Sequence, residues 1–221
     1  MVTVYTLALL SGLFQALGYL VYIRKSLRHE VEPNPTTWFM FAYGTAMLAV
    51  LEWDRNADFT LLILPITCAL LSLRVAAICW SQGRLKWPDT WLERFAFLTD
   101  LSLTVAYISV WLASRNGAIT SADRDLLVLV FLVLTNASTI VSFIPILGGT
   151  WGDPRKEHPL PWSIWCFAYC TLGYVTYLEH GVWSEFMIYP VSNALLHGLM
   201  GVFALRRYGS ALAVRSRSNQ S

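Results

Sequence analysis

The sequence predicts an all-α membrane protein with seven transmembrane helices, arranged as two parallel three-helix bundles joined by a linker helix. Three observations support this prediction: the composition, seven long apolar segments and an internal repeat. Hydrophobic residues make up 56% of the 221 residues and charged residues only 14%, whereas soluble domains carry about 25% charged residues. The ten Trp and ten Tyr residues fit the aromatic belts that mark membrane surfaces.

The seven apolar segments account for most of the chain. A membrane-spanning helix needs about 20 predominantly apolar residues. The segments near this length are 4–23, 36–53, 59–80, 92–112, 126–147, 162–178 and 186–205. The second and sixth are short for a span, and the short connections leave no room for a separate soluble domain. The first segment carries its positive charges after the apolar run, which favours a retained span over a cleaved secretory signal.

The distribution of Lys and Arg predicts the orientation. One set of connections, together with the carboxyl-terminal tail, holds Arg24, Lys25, Arg28, Arg84, Lys86, Arg94, Arg155, Lys156, Arg206, Arg207, Arg215 and Arg217. The opposite connections hold Arg55, Arg115 and Arg124. Because cytoplasmic loops carry the excess of positive charge, we expect the amino terminus outside and the carboxyl terminus in the cytoplasm.

An internal repeat divides the chain into two halves. Segment 35–45 (PTTWFMFAYGT) shares its Pro, Phe-Ala-Tyr and Thr with segment 161–171 (PWSIWCFAYCT). Segment 64–72 (LPITCALLS) matches segment 189–197 (YPVSNALLH) at nearly the same spacing. Three spans end on the opposite side from where they began, so one additional span is needed before a second triplet can point the same way. The repeats are therefore predicted to be parallel.

This organisation gives four predicted regions. They are a first three-helix repeat (1–80), a linker helix with its flanking loops (81–123), a second three-helix repeat (124–207) and a disordered cytoplasmic tail (208–221).

The arrangement of three, one and three helices resembles the SWEET and PQ-loop group of small transporters. In that group a proline lies near the end of the first helix of each triplet, and a polar loop then leads to a second helix rich in Trp. Here Pro145 is followed by a polar loop and by Trp165, while in the first half a polar loop leads to Trp38. The Pro-Gln pair that names the PQ-loop group is absent from both halves. The resemblance implies transport of a small polar solute, sugar-like or amino-acid-like, by alternating access and without enzymatic activity.

Helix seven carries the leading candidates for solute contact. In SWEET-like transporters an asparagine in the third helix of a triplet faces the central cavity and bonds sugar hydroxyls, and Asn193 matches that position. Its counterpart in the first half is Cys68. An amide at mid-span needs a partner, so the alternative role of Asn193 is a hydrogen bond between helices. His197 follows one turn later, either as a substrate-binding or proton-coupling group or as a buried core histidine.

Three further residues are candidates for the cavity wall. Tyr43 and Tyr169 recur in the repeat, more than a turn inside their helices, where their rings could stack on a solute. Asn136 lies in helix five; it is formally part of a glycosylation sequon, but a membrane-buried sequon is not used.

Charges and prolines within the spans complete the predicted set. Asp100 in the linker helix and Arg74 in helix three are expected to form a structural ion pair or to take part in proton coupling, because charges at such depth are rare; Arg94 is the alternative partner of Asp100. Pro65, Pro145 and Pro190 are candidate hinges, since proline within a helix removes a hydrogen bond, and static packing is the alternative role of Pro65 and Pro190.

Two other classes of function remain open. One is a seven-helix sensor; its retinal form is excluded because Lys25, Lys86 and Lys156 all fall in loops and no lysine is available for a Schiff base. The other is a lipid-active membrane protein, in which Glu157 and His158 could contact a headgroup, although a solvated loop is the simpler interpretation. No protease, hydrolase or nucleotide-binding motif is present.

Cofactors and macromolecular partners are not indicated. The four cysteines offer neither a C-x-x-C pair nor zinc-ligand spacing, so no metal site or cofactor is predicted. The net charge of +2 is too small to favour nucleic acid. The expected partners are a small-molecule solute and the lipid bilayer, and a homo-oligomer is left open.

Overall fold

The structure, a computed structural model, describes residues 2–83, 88 and 90–218, with side chains for residues 3–83, 88 and 90–209. Its helices are α1 (Val2–Leu27), α2 (Pro35–Asp54), α3 (Phe59–Ser81), α4 (Trp91–Arg115), α5 (Ser121–Gly152), α6 (Pro159–His180) and α7 (Ile188–Ser218). Short 3-10 turns, Pro154–Lys156 and Glu185–Met187, precede α6 and α7. No strand occurs in these residues.

Five of the helices, α1, α3, α4, α5 and α7, are long and apolar enough to cross a membrane. The outer face of α4 is apolar as well, since Leu98, Leu101, Val105 and Leu112 are all exposed. Apolar faces of this extent are expected where lipid surrounds a protein. The described fold is therefore all-α, and its apolar helices of spanning length indicate a membrane protein, as the composition predicts.

The helix boundaries follow the predicted segments, with two differences. Helix α5 begins at Ser121 and ends at Gly152, about five residues beyond the predicted span at each end. Helix α7 continues past the predicted end of its span to Ser218. Residues 219–221 and the side chains of residues 210–218 lie outside the described part of the chain, so disorder of the tail stays a prediction. Arg84 and Lys86, used for the orientation, also lie outside the described residues.

Local sequence signals explain where α2 and α4 begin. The side chain of Asn34 accepts a hydrogen bond from the Thr37 backbone N–H at 3.1 Å, and Pro35 occupies the first helical position. Thr90 and Glu93 form a reciprocal capping box at the start of α4, with distances of 3.2 and 3.1 Å. These caps satisfy backbone N–H groups that have no acceptor within the helix.

The helices pack as a closed ring. In order around the ring, the neighbours are α1, α3, α2, α5, α7 and α6, and α6 contacts α1 to close it. Helix α3 also touches α6. Helix α4 packs against α5 and α2 on the outside, rather than against the helix that precedes it in the chain.

Two apolar clusters fill the interior of the ring. One is the aliphatic cluster, defined by Leu48, Leu51, Leu64, Leu132 and Leu172, which are at most 2% exposed. It lies toward the end of the ring where α1 begins and α6 ends.

The other is the aromatic cluster, defined by Tyr19, Tyr22, Trp38, Trp162 and Trp165, which are also at most 2% exposed. Ring centroids are 4.7 Å apart for Tyr22 and Trp38, and 5.0 Å apart for Trp162 and Trp165. This cluster fills the end of the ring where α1 ends and α6 begins.

Gly18 gives α1 and α6 their close approach, and its replacement by Ala should lower stability by about 1–3 kcal/mol. A Cβ at this position would collide with Nε1 of Trp165, whose ring is buried among other aromatic rings. The matched control is Gly148→Ala in α5, where a Cβ meets no atom within 4 Å. Thermal unfolding in detergent should rank Gly18→Ala below wild type and Gly148→Ala at or above it. Equal melting temperatures for the two variants would contradict the packing.

Candidate functional site

Polar side chains collect at the middle of the ring. Gln15, Cys68, Asn136 and Tyr169 each lie within two residues of the centre of their helix. His197 lies at the centre of the candidate span Glu185–Gly209. All five are buried, with at most 6% of each residue exposed. In a membrane protein this depth is where polar groups are most costly and most often functional.

Cys68 is the meeting point of a small hydrogen-bonded cluster. Its Sγ lies 3.3 Å from the Tyr19 hydroxyl and accepts a weaker contact from the Tyr169 hydroxyl at 3.7 Å. The hydroxyls of Tyr169 and Tyr189 are 3.1 Å apart, and Tyr19 also bonds Ser72. We call these five residues the central polar cluster; they join α1, α3, α6 and α7.

Asn193 and His197 extend this cluster along α7. Both side chains are buried inside the ring. Asn193 donates through Nδ2 to the Tyr189 carbonyl at 3.0 Å, and His197 Nδ1 lies 2.7 Å from the Asn193 carbonyl. The imidazole packs 4.7 Å from the Tyr169 ring and 5.4 Å from the Trp162 ring, measured between centroids. The bonds found for both side chains are to their own helix, so the expected bond from Asn193 to another helix is not among them.

Gln15 is a buried polar residue that sequence reasoning missed, as it did Tyr19, Ser72 and Tyr189 of the central polar cluster. It is 0% exposed, and neither atom of its side-chain amide has a hydrogen-bond partner among the described residues. Its backbone carbonyl accepts from Trp165 Nε1 at 3.1 Å, which fixes this turn of α1 against α6. A buried amide without a partner costs about 1–3 kcal/mol. The signal was present in the sequence, since Gln15 is an amide in the middle of an apolar span.

Helix α5 contributes a second group of unsatisfied atoms. Asn136 donates to the Leu132 carbonyl at 2.9 Å, but its Oδ1 is buried and has no partner in the described structure. The same is true of the Thr135 hydroxyl oxygen. Asn136 is thus a buried polar residue at mid-depth that lines neither of the two cavities described below, and its contact with a solute stays a prediction.

Tyr43 and Asp100 lie away from the central polar cluster, against the linker helix. The Tyr43 hydroxyl bonds Thr104 and lies 3.5 Å from the Asp100 carbonyl oxygen, so this tyrosine faces α4 rather than the centre of the ring. The Asp100 carboxylate accepts a hydrogen bond from Ser138 on α5. Arg74 is exposed on α3, and the expected ion pair with Asp100 is not formed. The reason is the position of α4, which packs on α5 and α2 instead of on α3.

The three prolines occupy different settings. Pro65 and Pro145 lie inside α3 and α5. Pro190 is the third residue of α7, where a backbone N–H has no acceptor within the helix, so this proline removes no helical hydrogen bond. A hinge role remains a prediction for Pro65 and Pro145. For Pro190, a hinge cannot be argued from the loss of a helical hydrogen bond.

A cavity opens at each end of the ring. At the end filled by the aromatic cluster, a cavity of about 780 Å³ is lined by residues including Pro145, Thr150 and Glu157. At the other end, a cavity of about 750 Å³ is lined by residues including Tyr5, Asp58 and Glu179. No member of the central polar cluster lines either cavity among the described residues.

The second cavity borders a set of groups with metal-ligand chemistry. Ligand atoms of Asp58, Glu179 and His180 lie within 4.8 Å of one another. Glu179 also accepts from the Thr60 hydroxyl at 2.8 Å. Sequence spacing gave no sign of this group, because the fold brings the start of α3 and the end of α6 together.

The central polar cluster offers phenol, thiol and hydroxyl groups, with amide and imidazole groups beside it. These groups can both donate and accept hydrogen bonds. Comparison of the chain with protein-family models, with curated proteins and with solved structures found no match.

Proposed function

We propose that this chain is a membrane transporter for a small polar solute, sugar-like or amino-acid-like, that works by alternating access between two three-helix units. Helices α1–α3 form one unit, α5–α7 form the other, and α4 links them. All seven helices cross the membrane, with the amino terminus outside and the carboxyl terminus in the cytoplasm. This is the function that the resemblance to SWEET and PQ-loop transporters implies.

The observation that carries the proposal is the buried, unpaired amide of Gln15. A protein surrounded by lipid gains nothing structural from an amide that bonds neither a neighbouring helix nor its own backbone. The amide becomes useful when a solute with its own donors and acceptors enters the ring. The side-chain oxygen Oδ1 of Asn136 and the Thr135 hydroxyl are also buried and unpaired, and they offer further hydrogen-bonding positions for a solute.

The order of helices around the ring supports two equivalent units. Helices α1, α2 and α3 of the first unit correspond to α5, α6 and α7 of the second. If the two units are equivalent, the contact between α1 and α6 should have a counterpart between α5 and α2, and both contacts are present. The contacts of α3 with α1 and α2 likewise correspond to those of α7 with α5 and α6. Such symmetry favours a solute site between the two units.

Helices α2 and α6 fit the proposal although they are less apolar than the other five. They have 20 and 22 residues, which at 1.5 Å per residue gives about 30 Å, the thickness of the hydrocarbon core. Each also contacts three other helices, so its polar side chains can face protein rather than lipid.

The two apolar clusters supply the gates that alternating access needs. The aromatic cluster closes one end of the ring and the aliphatic cluster closes the other. The central polar cluster adjoins both and shares Tyr19 with the aromatic cluster. Release of one cluster at a time would open the polar residues to one side of the membrane while the other cluster holds the opposite side closed.

Replacing Gln15 with Met should separate function from stability. Met matches Gln in shape and removes the unpaired amide, so the variant should melt at or above the wild-type temperature. Uptake of the transported solute into proteoliposomes should fall about tenfold, equivalent to one lost hydrogen bond to the solute. The substrate is first identified by screening labelled sugars and amino acids with the wild-type protein.

Gln82→Met is the matched control: Gln82 also has an unpaired side-chain oxygen, but it lies just beyond the end of α3 and away from the central polar cluster, so its replacement should leave uptake unchanged. Wild-type uptake by Gln15→Met would remove Gln15 from the site. Absence of flux for every sugar and amino acid screened would contradict the transporter itself, and solute binding without flux would favour a sensor.

Asn193→Ala should reduce uptake about tenfold while expression stays at the wild-type level. The reason is that the Asn193 side chain faces the interior, where its Oδ1 can accept a hydrogen bond from a solute. Ser192→Ala is the matched neighbour, since the Ser192 hydroxyl bonds its own helix at the Ile188 carbonyl at 2.7 Å. Equal uptake by the two variants would count against a solute contact at Asn193.

A further inference from the structure

Glu157 lies in the connection between α5 and α6, where the sequence favoured a solvated loop, yet it is 1% exposed. Both carboxylate oxygens have donors. The Tyr22 hydroxyl donates to Oε1 at 3.0 Å, and Trp162 Nε1 donates to Oε2 at 3.0 Å. Trp38 Nε1 in turn lies 3.3 Å from the Tyr22 hydroxyl oxygen. The carboxyl group is therefore bonded directly into the aromatic cluster.

These contacts join the two halves of the chain at one end of the ring. Tyr22 belongs to α1, whereas Glu157 and Trp162 lie in and after the α5–α6 connection. The Arg207 guanidinium of α7 donates to the Glu157 carbonyl at 3.0 Å. The α1–α2 loop is attached beside it, since the Glu32 backbone N–H donates to the Lys156 carbonyl at 2.8 Å. Separation of α1 from the α5–α6 connection at this end of the ring would break the bond from Tyr22 to Glu157.

A cavity lies beside the same residue. Glu157 is among the residues that line the cavity of about 780 Å³ at this end of the ring, together with Thr36, Thr150 and Lys156. Only 1% of the residue is exposed in the closed arrangement, so opening of this end toward the cavity would hydrate the carboxyl group.

Two effects on the carboxyl group oppose each other. Burial raises the pKa of Glu157 to about 8, and it outweighs the hydrogen bonds from Trp162 and Tyr22 and the charge of Arg207, all of which lower that pKa. In an open arrangement the carboxyl would be hydrated and its pKa would return to the ordinary range, about 4.3. The closed arrangement therefore binds the proton more tightly than the open one.

We propose that Glu157 is a proton-controlled latch: the neutral side chain can stay buried at the closed end of the ring, and loss of the proton leaves a buried charge there that favours opening and hydration. Opening releases a proton at any pH between the two pKa values, so the open population rises with pH across that window. The limit for one proton is tenfold per pH unit. The latch depends on the proposed alternating access only because it requires this end of the ring to open. It does not depend on which solute is transported.

Other titratable groups near Glu157 limit the pH range in which a response can be assigned to Glu157. His158 has its pKa lowered to about 4 by burial and by the charges of Lys25 and Arg207, with Glu30 opposing them. Protonation of His158 on opening would therefore favour the open state in acid, below its ordinary pKa of about 6.5. The other titratable or charged groups around the latch are Tyr22 of α1, Cys79 of α3, Glu93 of α4, Arg207 of α7, and His29, Glu32 and Lys156 of the loops. Measurements between pH 6.5 and 8 isolate Glu157 from His158.

A buried thiol provides the readout. Cys79 is 0% exposed and packs in the same apolar cluster as Tyr22. Full-length protein in lipid nanodiscs would be labelled with a maleimide in the presence of glutathione, and the products at Cys79 and at glutathione would be quantified by mass spectrometry. Dividing the Cys79 rate by the glutathione rate corrects for the greater thiol ionisation at higher pH.

The wild-type ratio should rise about fivefold or more between pH 6.5 and 8, within the one-proton limit. Glu157→Gln, neutral at every pH, should show a flat ratio, and Glu32→Gln in the same cavity should keep the wild-type response. A flat wild-type ratio, or a wild-type response in Glu157→Gln, would overturn the latch. If uptake is nevertheless present, the transporter proposal survives; if no solute is taken up while the ratio responds to pH, the latch survives alone.

Tyr22→Phe offers a test that does not depend on folding of the Glu157 variant. It removes one donor that favours the ionised carboxylate and leaves the ring in place. The pH at which the labelling ratio is half-maximal should move upward. An unchanged profile would contradict the role of the Tyr22 bond.

Discussion

The contact between Trp165 and α1 is the constraint on which the closed ring depends. The indole lies over Gly18, where any Cβ would collide with it, and donates its N–H to the Gln15 carbonyl at 3.1 Å. The same ring packs 4.8 Å from Tyr19 and 5.8 Å from His197, measured between centroids. One side chain of α6 thereby closes the ring against α1 and also shapes the wall around the central polar cluster.

Lipid surroundings explain why the polar residues in the middle of the ring matter. On a soluble protein an amide such as that of Gln15 would turn outward and bond water. In a ring of helices whose outer faces are apolar, a polar side chain at mid-depth has to be satisfied from the inside. Cys68 forms hydrogen bonds with Tyr19 and Tyr169, so that three helices are joined. The side-chain amide of Gln15 and the side-chain oxygen Oδ1 of Asn136 have no hydrogen-bond partner among the described residues. At the same depth, some polar atoms are hydrogen-bonded to one another and others have no partner, and we propose that a solute bonds to the latter.

The sequence was sufficient for the helices because apolar segments of spanning length leave few alternatives, and their ends agree with the structure except in α5 and α7. Asn193, His197, Tyr169 and Cys68, which it proposed for solute contact, are buried in the structure, and the contact with a solute stays a prediction. The sequence misplaced Tyr43 because the repeat implies symmetry that the linker helix breaks: α4 covers the side of α2, and helix α6 has no equivalent neighbour. The same packing of α4 separates Asp100 from Arg74.

Other features required the fold itself. Nothing local to Glu157 predicts burial, since its partners Tyr22 and Trp162 come from two different helices that only tertiary packing brings together. The most direct measurement of the central claim is a high-resolution experimental structure of the protein in lipid nanodiscs. The account predicts ordered density for water or a solute about 2.7–3.2 Å from the Gln15 amide. A dry amide bonded only to protein atoms, with side chains filling the space around it, would contradict it.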